Sequence, residues 1–113
     1  MKLLKSLNAF HTNDFNTILK SEIQLIDKNL LPLQQGLSFS SAVGPSSFSA
    51  VILRVTDTEK AIQATTGIFY SGIIAGCNCS DDPSPSDEQN EYCELQFVID
   101  KSNAETHVTL LAT

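Results

Sequence analysis

Three cysteines, Cys77, Cys79 and Cys93, share a stretch of 18 residues with six carboxylates, Asp81, Asp82, Asp87, Glu88, Glu91 and Glu94. Thiolates are the ligands of structural zinc and of iron–sulfur clusters, whereas carboxylates suit calcium or magnesium. The spacing C-x-C-x13-C supplies three thiols where such sites usually take four, and it lacks the common C-x2-C knuckle. Asp81, Asp82, His11 and His107 are the candidates for a fourth ligand, and no spacing singles one out. The run Asp81-Asp82-Pro83-Ser84-Pro85-Ser86-Asp87-Glu88 has neither D-x-D-x-D-G periodicity nor a turn glycine, and two prolines stiffen it. No cofactor is therefore expected, with zinc or iron–sulfur held by Cys77, Cys79 and Cys93 as the alternative.

Redox chemistry is the other use of these thiols. A disulfide from Cys93 to Cys77 or Cys79 would close a loop of about 15 residues, worth about 3 kcal/mol in the chain-entropy picture. A reducing cytoplasm would not preserve it as a staple, and the neighbouring carboxylates should raise the thiol pKa values and slow thiolate chemistry. Cys93 also continues the alternation of Leu95, Phe97 and Ile99, which makes it a small buried hydrophobe.

The sequence has no G-x-S-x-G elbow, Walker loop, G-x-G-x-x-G or H-E-x-x-H motif. His11 falls in a helix-capping stretch and His107 on the polar face of the last strand. The alternation puts Cys93 and His107 on opposite faces, which disfavours a Cys/His nucleophile pair. Glu88 and Glu91 would be paired carboxylates in a wet loop, where nothing separates their pKa values.

The net charge is −6, and no Lys or Arg lies between Cys77 and Glu94, so this stretch holds the imbalance while the rest of the chain is neutral. Clustered acids repel nucleic-acid phosphates and anionic membrane surfaces, so neither is an expected partner. No apolar run approaches the roughly 20 residues of a membrane helix. Lys5 and Asn8 interrupt the apolar start, and no convincing small-residue cleavage site follows, which makes a cytoplasmic protein the expectation. Pro83 and Pro85 favour extended backbone and keep the acids accessible.

The reading is a small non-enzymatic binding or regulatory domain that presents this acidic, cysteine-bounded loop to a basic patch on a protein partner. A metal-binding or redox-responsive thiol module is the alternative, and a small enzyme of unknown class the second.

The elements that must position this stretch follow from periodicity. Phe15, Ile18, Leu19, Ile23, Ile26 and Leu30 recur at helical steps and predict a main helix over 14–31, stopped by Pro32. Residues 2–10 fit a short helix or an edge strand. Leu37 and Phe39 with the Gly44-Pro45 turn, the run 48–56, and the run 61–75 with Gly67 and Gly72 inside it predict strands, the last one bent at its glycines. Cys93, Leu95, Phe97 and Ile99 alternate in the next strand, and Ala104, Thr106, Val108 and Leu110 in the last.

The fold class is thus α+β, a single domain over 1–113: one main helix on a curved four-stranded antiparallel meander, with sheet over 36–76 and 92–112 and the acidic loop over 77–91. In outline this resembles the cystatin-type arrangement of a helix gripped by a curved antiparallel sheet, a likeness that implies no function. One helix covers only part of such a sheet. Val51, Leu53 and Val55 on one face of their strand and Ile52 on the other therefore predict a homodimer through the uncovered face.

Overall fold

The amphipathic stretch after Asn13 folds as helix α2, Phe15–Gln24, in a computed structural model that describes residues 1–38, 40–73 and 88–111. Phe15, Leu19 and Ile23, each four residues from the last, form its buried stripe. The helix is shorter than the 14–31 expected. Asp27 takes extended backbone and its side chain accepts the Asn29 N–H, opening a separate 3-10 turn, Lys28–Leu30, before Pro32 is reached. Leu30, expected in the core, is consequently 60% exposed.

Residues 2–8 combine the two forms expected of them. Helix α1, Leu4–Asn8, follows an antiparallel bridge from Lys2 to Glu105 and a bond from the Leu3 N–H to the Ala104 carbonyl. Glu22 of α2 accepts the Lys5 N–H at 3.1 Å, the Ser6 N–H at 2.8 Å and the Ser6 hydroxyl at 2.5 Å. These are the first-turn donors that a helix cannot satisfy internally, so one carboxylate both caps α1 and ties it to α2.

The curled sheet has five antiparallel strands rather than four: β1 Ala42–Val43, β2 Ser49–Asp57, β3 Ala61–Ile73, β4 Gln89–Asp100 and β5 Thr106–Leu110. Strands β1 and β2 occupy the same edge of β3, with β4 on its other side. Six steps from Val43 to Ser49 span only three on β3, from Gly72 to Phe69, so the chain loops out between the two pieces. The strand expected around Leu37 and Phe39 forms later, at Ala42–Val43, while Phe39 itself lies outside the described residues.

The ladder of β3 and β4 keeps one register from Ala61↔Asp100 to Gly72↔Gln89. The irregularity expected at the glycines of β3 sits instead in β2, where Leu53 is an extra residue between the pairs Ile52↔Thr66 and Arg54↔Thr65. This bulge corrects the face assignment of β2. Ala50, Ile52 and Val55 turn toward the core, while Val51, Leu53 and Arg54 turn outward.

The core forms between the helices and the inner face of the sheet. Ile62, Ala64 and Ile68 of β3 meet Cys93, Leu95, Phe97 and Ile99 of β4, all fully buried, beneath Leu3, Leu19, Ile23 and Leu33. The alternation expected of β4 and β5 is the one observed.

Candidate functional site

Strand β4 begins at Gln89, so Glu91, assigned by the sequence to a loop over 77–91, belongs to the sheet. The inward alternation of Cys93, Leu95, Phe97 and Ile99 reaches back two residues to Glu91, which is only 3% exposed. This is the signal that would have found it. Glu91 accepts the Ser38 N–H at 2.8 Å and the Ser40 N–H at 2.9 Å, both from the irregular strap formed by residues 31–38 and 40–41. A carboxylate accepting backbone N–H groups makes charge-assisted bonds of the stronger kind, and here they fasten the strap over the sheet.

Under that strap lie Tyr70 and Cys93. The Tyr70 hydroxyl donates to the Leu33 carbonyl at 2.8 Å. Gly36 passes so close that a Cβ there would meet Cys93 Cβ at 2.8 Å, Cys93 Sγ at 3.1 Å and the Tyr70 oxygen at 3.2 Å. Glycine is needed for this approach, a role its place in the Gln34-Gln35-Gly36-Leu37 run does not reveal. Burial pushes the Tyr70 phenol well above its ordinary range, with the thiol of Cys93 and the charge of Glu91 acting in the same direction. Burial likewise raises the Cys93 thiol; the Tyr70 hydrogen bond opposes this, and Glu91 and Glu94 add to it. Cys93 is thus a sealed, protonated thiol, the opposite of the exposed thiolate that nucleophilic chemistry requires.

The remaining described acids point elsewhere. Glu88, just before β4, accepts the Ser46 hydroxyl at 2.9 and 3.0 Å and the Ser71 hydroxyl at 2.9 Å. These bonds, with the nearby Lys28, hold its carboxyl below the usual carboxylate range. Lys28 donates to the Gly44 and Ser46 carbonyls at 2.7 and 3.1 Å, pinning the looped-out chain between β1 and β2. Glu94 faces outward and accepts the Tyr92 hydroxyl at 2.9 Å. Burial and Glu94 together raise the Tyr92 phenol, so it remains a donor. Ser46, Ser47, Phe69, Tyr70, Ser71, Glu88, Asn90 and Glu91 border an open cleft of ≈ 670 Å³.

Of the nine residues singled out by sequence, Asp81, Asp82, Asp87, Cys77 and Cys79 lie outside the described residues. The four that are described converge only in part: Glu88 and Glu91 both border the cleft, Glu91 also reaching under the strap, whereas Cys93 is sealed beneath the strap and Glu94 is on the outer face. Among the described residues no group of three His, Cys, Asp or Glu side chains could hold a metal. His107 pairs with Val98 on the outer face, opposite to Cys93, and His11 is exposed beside the Phe10 ring. Among the described residues no helix is long and apolar enough to cross a membrane. Compared with protein-family models, curated proteins and solved structures, the chain finds no match.

Proposed function

We propose that this protein is a cytoplasmic, non-enzymatic binding or regulatory module that presents the acidic stretch between β3 and β4 to a basic patch on a protein partner. The observation that carries the reading is the unbroken β3–β4 ladder. Its last rung, Gly72↔Gln89, leaves both ends of the intervening stretch side by side at one end of a hairpin roughly 40 Å long. Glu88 at the root of that stretch is kept ionised by two serine hydroxyls, which suits a contact made through charge. Charge pairing of this kind sets association rate and salt dependence more than it adds buried area. Self-association through the outer face of the sheet is the second part of the reading.

The test replaces Asp81, Asp82, Asp87 and Glu88 with Asn or Gln and leaves Glu91 and Glu94 intact, because Glu91 accepts the strap's N–H groups and Glu94 the Tyr92 hydroxyl. A synthetic peptide of alternating Lys and Arg serves as probe, titrated calorimetrically at low and moderate salt. The native chain is expected to bind with an affinity that falls as salt rises, and the variant to lose about tenfold or more. Equal affinity for both chains overturns the reading. The thiol alternative is checked by elemental analysis of protein purified under reducing conditions: zinc or iron at about one per chain would replace the proposal with that alternative.

A further inference from the structure

We propose that the outer face of the sheet is an isologous dimer interface, in which Arg54 of each copy meets Glu94 of the other. The inner face is already covered by α1, α2 and the strap, whereas the outer face carries Val51, Leu53 and Phe69 at 41%, 48% and 50% exposure. Phe69 stacks beside Tyr92 across the strand pair, ring centroids 4.8 Å apart. The Tyr92 ring lies over Gly67, where a Cβ would come within 2.8 Å of its oxygen, so a side chain at 67 would disturb this apolar floor.

Charge decides the occupant. The bulge at Leu53 sets Leu53 and Arg54 side by side on the outer face, with Arg54 beside Thr65 on one flank of β3. Glu94 stands beside Gly67 on the other flank, held in place by the Tyr92 hydroxyl. Arg54, the sole arginine of the chain, has no ion-pair partner among the described residues, where the one such pair is Lys101–Asp57. A positive and a negative group flanking an apolar centre are self-complementary: a twofold axis lying between two stacked sheets exchanges them and forms the pair twice. A different protein would need the same arrangement of charge by coincidence; a second copy has it by construction.

The size is adequate. The strands β2 to β5, of 9, 13, 12 and 5 residues and about 4.8 Å apart, offer roughly 600 Å², the lower end of the 600–1,000 Å² or so per partner of a standard interface. This inference uses none of the acidic stretch 74–87, so it survives or fails separately from the partner reading.

The test is light scattering of the full chain in reductant, with circular dichroism of every variant as the control for folding. At about 100 µM, some tenfold above a weak Kd near 10 µM, the native chain is expected at a weight-average mass of about 1.8 times its chain mass. Arg54→Glu and Glu94→Arg should each weaken the dimer about tenfold or more, and the double exchange should restore it. Should Glu94→Arg fail to fold, Phe69→Asp at a half-exposed position takes its place and should also yield monomer. A monomeric native chain at that concentration overturns the proposal and leaves the face to a different protein. So does a dimer that survives Phe69→Asp, or a folded double exchange that stays monomeric while each single variant is weakened.

Discussion

The two ends of the inner sheet face are covered by different means. Over one end lies α2, a regular helix that satisfies its own backbone and contributes Phe15, Leu19 and Ile23 to the core. Over the other lies the strap of residues 31–38 and 40–41, whose described backbone makes isolated turn bonds rather than a helical ladder and is fastened by side chains rooted in the sheet and by the Ser41 N–H to the Ile73 carbonyl. Glu91 takes two of its N–H groups and Tyr70 donates to one of its carbonyls. The first end is held mainly by non-directional burial, while the second adds directional bonds to the burial of Leu31 and Leu33. A buried polar anchor of the second kind adds geometric definition, but it leaves orphaned donors behind when it is lost.

The largest effect belongs to the helical end. Leu19→Ala removes a fully buried side chain and leaves a cavity, at an expected cost of about 2–5 kcal/mol, read as a lower urea midpoint with an unchanged slope. Glu91→Gln at the strap end should cost less, about 1–3 kcal/mol, because the amide keeps one acceptor while the charge is lost. It should also open the strap, so that Cys93 reacts faster with a thiol reagent in a background where Cys77 and Cys79 are serine. If Glu91→Gln matches the native chain in both stability and labelling, the strap is not anchored as described.

The contrast also explains what the sequence could reveal. The strands of the β3–β4–β5 meander and the stripe of α2 were legible because burial imposes a period of two or of four along the chain. The helix C-terminus was missed because Asp27 offers its own side chain to the Asn29 N–H, a local competition that periodicity does not register. The bulge at Leu53 was missed because Val-Ile-Leu-Arg-Val is apolar on both sides and marks no face. Glu91 was read as a loop acid because charge argued for solvent, whereas position in the alternation argued for the core. Position won because Ser38 and Ser40 bring donors to it, and those donors are some 50 residues away in sequence.

The smallest expected effect distinguishes the two ends by pH. Cys93 and Tyr70 are both held in their neutral forms, so each gives up its proton less readily in the folded chain than in the unfolded one, whose ordinary values are 9.0 and 10.0. Below about pH 8 both states keep these protons and stability does not depend on them. As pH rises beyond that, the unfolded chain releases the protons first, so unfolding is favoured and stability should fall steadily until the folded groups ionise. The helical end contains no such group, and Tyr92 on the outer face contributes with the same sign. Tyr70→Phe isolates the strap's share. At neutral pH it removes one hydrogen bond to the Leu33 carbonyl, about 0.5–1.5 kcal/mol, and above pH 9 it should lose less further stability than the native chain. Urea midpoints for both chains measured from pH 7 to beyond pH 10 provide the check, and parallel profiles would show that the Tyr70 proton is not held by the strap.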